Sequence, residues 1–361
     1  MTTMRDVAAA AGVSPMTVSN VLAGRSNVSE ETRRRVLDVV ERTGYRVNTA
    51  AQSLRRGRTG IVGLAVPEVH SHYFGLLAAR LIARLAPEGL RVVVEQTGAS
   101  REGELAAITA SRVSAYDGLV LSAVGLDPDD VLAIAGDLPV VVLGERQDVR
   151  RFDHVEMANT EGAAAATRLL LDRGCRHLVA LGMPDLTSLD SLHLPDDDAR
   201  PRPQGPGHHG DAFRLRALGV RDAVAAVPGA RAVAVHGGAS TLASGAALTR
   251  EALVREPRLD GLVCATDTLA IGALRALADA GRRVPDDVLV AGFDDVADGA
   301  FTVPSLTTVT PGHDVMVEET ARLLLRRIAD PTAAPERFVS PFAVVEREST
   351  RRTPGPGGHG S

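Results

Sequence analysis

From residue 60 onward the sequence alternates between two textures, and this alternation constrains the fold more than any other feature. Short aliphatic and β-branched runs, GIVGLAVPE (60–68), LRVVVEQT (90–97), YDGLVLSAV (116–124) and LPVVVLGE (138–145), are separated by helix-like segments around 74–86, 101–112 and 128–136. Runs that are apolar at consecutive positions belong to strands covered on both faces, and parallel strands need a helical crossover between them. A second cycle follows: helix 160–173, HLVALG (177–182), a helix near 211–218, ARAVAVH (230–236), a helix near 240–255, DGLVCAT (260–266), helix 267–280 and DVLVAGF (287–293). The two cycles predict an α/β core of two similar, doubly wound parallel-sheet lobes, with any ligand at the carboxyl ends of the strands.

Residues 1–60 have a different texture. They hold ten arginines against five acids, a charge of +5, so with a total of −5 the rest of the chain carries −10. Every basic residue in the protein other than histidine is an arginine. A basic head on an acidic body points to a head that meets a polyanion. Three helices are predicted there. MRDVAAAA is stopped by Gly12; Ser14 caps a second helix that has Pro15 at its first position and runs to about Leu22; Ser29 caps a third, EETRRRVLDVVERTG, ended by Gly44. Helix, short turn, helix and supporting helix is the helix-turn-helix order. The second helix is nearly uncharged although arginine-rich segments flank it.

The runs DVAAAAGVSPMTVSNVL (6–22), VSEETRRRV (28–36) and GYRVNTAAQSLRRGRTGIVGLAVPE (44–68) resemble the LacI family of bacterial transcription regulators. So do HSHYF (70–74), ATDTLAIGALRAL (265–277), GRRVPDDVLVAGFDD (281–295), PSLTTV (304–309) and VVEREST (344–350), in the family's order and over nearly the whole chain. The resemblance implies a multidomain protein: an all-α helix-turn-helix head (1–47), a hinge helix (48–59), a core like periplasmic sugar-binding proteins (60–350) and a disordered tail (351–361). It implies an N-lobe of about 60–158 and 309–327 and a C-lobe of about 159–308 and 338–350. It also implies a homodimer on a near-palindromic double-stranded operator, and a repressor whose DNA affinity is changed by a small molecule, often a sugar.

The resemblance also assigns residues. Pro15, Met16 and Asn20 would face base edges in the major groove. Asn20 suits adenine and Met16 a thymine methyl, while the hydroxyls of Ser14, Thr17 and Ser19 suit phosphates. Val18, Val21 and Leu22 would face the head's own core. Arg25 and Asn48 join the DNA face. Leu54 matches the leucine that wedges between base pairs, with Arg55 near phosphates. In the core, Tyr73 and Phe74 match an aromatic pair lining the effector pocket, Asp267 is expected to bind ligand hydroxyls or cap its helix, and Glu145, Arg146 and Asn159 are further effector candidates. Family members usually carry an effector-binding arginine at the end of a short loop, followed shortly by a glycine and an aromatic residue. Here the corresponding segment, 184–210, is a long Pro-, Asp- and His-rich loop, and HHGDAF (208–213) lacks that arginine, leaving Arg200 or Arg202 as substitutes.

No cofactor and no metal are expected, and no enzyme. Gly205, Gly207 and Gly210 match a dinucleotide fingerprint in spacing, but no strand precedes them and Pro206 interrupts them. The histidine pairs 70/72 and 208/209 have no completing ligands at metal spacing. No apolar run reaches a membrane-spanning length and the N-terminus has no signal pattern, so a soluble intracellular protein is expected; the family resemblance implies the bacterial cytoplasm, on the nucleoid. Cys175 and Cys264 are expected to be buried thiols. An activator or corepressor-dependent regulator fits the same motifs, as does a small-molecule-binding module or enzyme with a vestigial head.

Overall fold

The structure is a computed structural model, and it describes residues 2–22, 24, 28–45, 58–126, 128–145, 151–187, 189 and 210–352. The chain divides into two compact units, Met1–Thr59 and Gly60–Ser361.

The first unit holds α1 (Met4–Ala11), α2 (Pro15–Leu22) and α3 (Glu30–Thr43). Each start and stop has a local cause. The Thr3 hydroxyl and the Asp6 carboxylate form a reciprocal capping box on α1, and Gly12 ends that helix at φ 63°, a left-handed conformation that costs glycine little. Ser14 Oγ accepts from the Thr17 backbone N–H at 3.1 Å, and Ser29 Oγ accepts from that of Thr32 at 3.3 Å. The core is Val7, Ala8, Ala11, Val18, Val21, Val36 and Val39, with Leu22 and Tyr45 packed against it. Val18, Val21 and Leu22 thus face inward, as the sequence predicts. The expected hinge helix over 48–59 lies, apart from Arg58 and Thr59, outside the described residues.

The second unit contains β1 (Ile61–Val66), α4 (His72–Leu85), β2 (Arg91–Gln96), α5 (Arg101–Val113), β3 (Gly118–Ser122), α6 (Pro128–Ala135), β4 (Val140–Leu143) and β5 (Asp153–Met157). Next come α7 (Asn159–Asp172), β6 (His177–Leu181), α8 (Gly210–Ala225), β7 (Arg231–Val235), α9 (Leu242–Arg255), β8 (Gly261–Cys264), α10 (Asp267–Asp279) and β9 (Leu289–Ala291). The chain ends with β10 (Thr308–Thr310), α11 (His313–Ala329), β11 (Arg337–Ser340) and β12 (Ala343–Val345). One six-stranded sheet has the order β11-β5-β4-β3-β1-β2 and a four-stranded one β7-β6-β8-β9; every pairing in both is parallel. β10 and β12 form a separate antiparallel pair. The chain passes from the first sheet to the second between β5 and α7, back between β10 and α11, and out again between β11 and β12.

One expected boundary moves. Residues 338–350 are expected in the second lobe, but β11 pairs with β5 as the outer strand of the first sheet. The reason is an ionic clamp. Asp153, wholly buried at the start of β5, accepts from Arg326 Nη2 at 2.6 Å, Arg327 Nε at 2.8 Å and the Glu336 backbone N–H at 2.9 Å. This ties the end of α11 and the entry to β11 to the first sheet. Cys175 and Cys264 are buried and unbridged.

Helices of the second lobe approach one another very closely. A Cβ at Gly219 of α8 would lie 2.2 Å from the Thr160 carbonyl of α7, and one at Gly272 of α10 would lie 2.1 Å from the Leu242 carbonyl of α9. Only glycine allows these backbones to touch. The α7–α8 contact sets the depth of α8, and with it the position of Arg216, the arginine buried in the cleft wall.

Candidate functional site

In the first unit, α2 presents an exposed amino-terminal end. Pro15 and Met16 are exposed, Met16 at 69 %, while Thr17, Ser19 and Asn20 are half-buried. Ser14 and Thr17 share a hydroxyl–hydroxyl bond of 2.9 Å that fixes the first turn. Arg25, Asn48, Leu54 and Arg55 lie outside the described residues.

In the second unit a cleft of about 880 Å³, counting its part open to solvent, lies between the two parallel sheets at their carboxyl ends. The first lobe contributes Pro67 after β1, Tyr73 and Phe74 from the start of α4, Ser122 at the end of β3 with Ala123 and Val124 after it, and Gly144 and Glu145 after β4. The second contributes Asp211–Phe213 and Arg216 from α8, Ser240, Thr266, Thr268 and Asp294. Strand ends gather here because each strand is followed by a turn into a helix, leaving short polar side chains and open backbone groups on one rim. The loop after β3 is fixed from behind. Glu104, wholly buried in α5, accepts the backbone N–H groups of Val124, Gly125 and Leu126 at 2.8, 2.9 and 2.9 Å.

Arg216 organises the cleft. It is 3 % exposed, with Nε donating to Asn159 Oδ1 at 2.7 Å, Nη1 to the Ala265 carbonyl, and Nη2 to Asp294 Oδ1 at 3.2 Å and Met157 Sδ at 3.5 Å. The Phe293 ring lies 3.6 Å from the guanidinium carbon, a cation–π contact covering one face. Burial pushes the Asp294 carboxyl up to about 6, and the Arg216 guanidinium opposes the shift. Asp294 and Asp295 have φ values of 107° and 48°, a left-handed backbone in two successive residues other than glycine. Such strain is tolerated where the surroundings fix it, and it collects at functional sites. His313, at the start of α11, lies with Nε2 2.5 Å from the Asp294 carbonyl, and its ring packs 5.8 Å from that of Tyr73. Tyr73 meets Phe74 edge-on at 4.9 Å. Burial, with Glu145 and Asp294 nearby, raises the Tyr73 phenol, which therefore stays protonated.

Of the effector residues expected from the sequence, Tyr73, Phe74 and Glu145 line the cleft. Arg146 lies outside the described residues. Asn159 is buried behind the wall, where it orients Arg216. Asp267 is a correction. It is 0 % exposed and absent from the lining; Oδ1 accepts from the Thr308 hydroxyl at 2.6 Å and Oδ2 from the Val296 backbone N–H at 2.9 Å. A Cβ at Gly292 would lie 2.0 Å from Asp267 Oδ1, so this carboxyl is walled in as a latch between α10 and the 292–308 segment. Nor is Asp267 the cap: Thr266 Oγ1 accepts from the Leu269 backbone N–H at 3.3 Å. The arginine that lines the cleft sits not in the long loop but in α8, as Arg216, three residues before Gly219. The spacing in FRLRALG carries that signal, whereas the family's short loop directs the search to 208–213. Asp294, in GFDD directly after a strand, is legible by the strand-end rule.

A three-helix head of helix-turn-helix order and a two-lobed parallel-sheet core with a polar strand-end cleft define a ligand-binding transcription regulator. Residues 3–48 match the model of bacterial regulatory proteins of the lacI family, and residues 167–350 match the periplasmic binding protein-like domain. The chain is 30 % identical over 355 residues to the ribose operon repressor of Halalkalibacterium halodurans, covering 97 % of this chain and 98 % of that protein. It is 32 % identical over 365 residues to the transcriptional regulator CelR of Thermobifida fusca, covering 96 % and 98 %. Among solved structures, a LacI-family regulator from Sanguibacter keddieii is 40 % identical with a TM-score of 0.67, covering 81 % of this chain and 99 % of that one. A CelR–cellobiose complex is 29 % identical with a TM-score of 0.66, covering 97 % and 100 %. The chain belongs to the LacI family of transcription regulators.

Proposed function

We propose that this protein is a transcriptional repressor that binds a near-palindromic operator as a homodimer and whose operator affinity is set by a small polyhydroxylated ligand in the core cleft. The observation that carries the reading is the cleft itself, where aromatic faces (Tyr73, Phe74, Phe213) stand beside hydroxyl and carboxylate groups (Ser122, Ser240, Thr266, Glu145, Asp294). A sugar ring has the matching two-sided character, with apolar C–H faces and a rim of hydroxyls. CelR, a relative, has been solved with cellobiose.

The head, about 1–47, reads DNA through α2, and the 48–59 segment serves as a hinge helix with Leu54 in the minor groove. The core from residue 60 binds ligand and dimerises. The two chemistries are linked because ligand and operator prefer different lobe and hinge arrangements, so each weakens the other by the same factor. The reading assigns no catalysis to the chain, and operator binding would hold it on the bacterial chromosome. Among the described residues no helix is long and apolar enough to cross a membrane.

The test is a fluorescence-anisotropy titration of the full chain on DNA from upstream of its own gene, at several salt concentrations and against scrambled DNA. Specific binding that weakens steeply with salt is expected, with Leu54→Ala losing preference for the specific site. Equal affinity for both DNAs would refute the regulator reading.

A further inference from the structure

Among the described residues, the charges of the cleft are unbalanced. The described residues that line it include one cation, Arg216, and three carboxylates, Glu145, Asp211 and Asp294. Arg216 is already committed: Asp294 neutralises it at 3.2 Å, Asn159 and the Ala265 carbonyl occupy further N–H groups, and Phe293 covers one face. It therefore offers no open bidentate fork to an incoming anion.

Glu145 is different. It forms no ion pair with any described residue, it lines the cleft, and burial raises its carboxyl above the ordinary glutamate range, with Arg216, Asn159 and the Met157 backbone pulling it part of the way back. Burial, and then Glu145 and Asp294, oppose ionisation of Tyr73, so the phenol stays a neutral donor in the cleft. A desolvated carboxylate without a paired cation is costly unless something supplies further protons to it.

We infer that the cleft is built for a ligand without negative charge and that Glu145 enforces this, bonding hydroxyl or ammonium protons of the ligand and repelling carboxylate and phosphate groups. The inference rests on the cleft being the ligand site and adds the charge class: neutral and amino sugars are accepted, while uronates and sugar phosphates are refused. Like charge brought against Glu145 in a partly desolvated site weakens binding by about a hundredfold.

The experiment is a thermal-shift screen of the purified full chain, followed by calorimetric titration of the hits. The probes are mono- and disaccharides, each tested as the neutral sugar, its amino derivative, its uronate and its phosphate. The neutral or amino member of a series is expected to bind, its anionic counterparts at least about a hundredfold more weakly. Glu145→Gln should narrow that gap to about tenfold or less and weaken the amino member most. Its melting temperature without ligand should be no lower than wild type, because it removes a desolvated charge; if Glu145→Gln prevents folding, the wild-type series decides alone. An anionic member binding more tightly than its neutral parent overturns the inference and leaves the ligand-site reading standing. If Arg146→Ala then abolishes that binding, the missing cation is Arg146. No response to any series would overturn the ligand-site reading and this inference together.

Discussion

Replacing Arg216 by methionine tests the organisation of the cleft most sharply. The substitution keeps most of the side-chain volume but removes a charge that is 3 % exposed, leaving Asp294 (6 % exposed), Asn159 Oδ1 and the Ala265 carbonyl without their donor. Breaking a buried ion pair by removing one partner costs about 3–5 kcal/mol. At roughly 2 °C per kcal/mol for a large unit, the melting temperature of the core should fall by about 6–10 °C. The loss should depend on pH. Without the guanidinium, Asp294 is pushed further above its present value of about 6, so the penalty for burying its charge is full at pH 8 and shrinks as the pH falls to 5. Asp294→Asn alone removes the other partner. The double variant should be less destabilised than the sum of the singles by about 2 kcal/mol, because it leaves no uncompensated charge. Calorimetry of the full chain, wild type and three variants, at pH 5 and pH 8 measures this. Additivity within about 0.5 kcal/mol, with no pH dependence of the Arg216→Met loss, would refute the claim that this pair anchors the cleft.

Other consequences are open to test. The raised Asp294 carboxyl means that the folded core holds its proton more tightly than the unfolded chain; that contribution is full below its ordinary 3.8 and is lost as the pH rises through about 6. A ligand that needs the ionised carboxylate as acceptor should therefore bind progressively more weakly below pH 6, and an affinity flat from pH 5 to 8 would place the ligand away from Asp294. Gly219→Ala sets a methyl 2.2 Å from the Thr160 carbonyl, so α7 and α8 must part; a destabilisation of about 1–3 kcal/mol is expected by urea unfolding, with weaker ligand binding because α8 carries Arg216. Asn20→Ala should cost about 1–3 kcal/mol on operator DNA and little on scrambled DNA in competition binding; an equal loss on both would make Asn20 a backbone contact.

The parts of the fold legible in the sequence are those with local causes. Ser14, Ser29, Gly12 and Gly44 mark the head's helices by cap chemistry alone, and the valine-rich strands announce themselves by unbroken apolarity. β5 is not legible, because three of its five residues, Asp153, His154 and Glu156, are ionisable. They are buried in the middle of a sheet since Arg326, Arg327 and Arg337 arrive from far along the chain to meet Asp153 and Glu156. β10 and β12, three residues each, are too short to carry a period. In the cleft, Tyr73, Phe74 and Glu145 follow from strand ends and family register. Asp267 misleads because a carboxylate at a strand end reads the same whether it faces a ligand or is sealed against Gly292 and Thr308. Arg216 is not legible in the sequence because the family's arginine is expected at the end of the 184–210 loop, whereas this one lies in the second turn of α8.

Coupling between cleft and operator is what makes a regulator of this fold respond to a ligand. The direct measurement is operator affinity of the full chain with and without a ligand identified by thermal shift, paired with ligand affinity of the free and the operator-bound protein. For an inducer, the account predicts that saturating ligand weakens operator binding by about 5–150-fold and that operator weakens ligand binding by the same factor, with Arg216→Met abolishing both effects while DNA binding persists. A ligand that binds the cleft tightly and leaves operator affinity unchanged would contradict it.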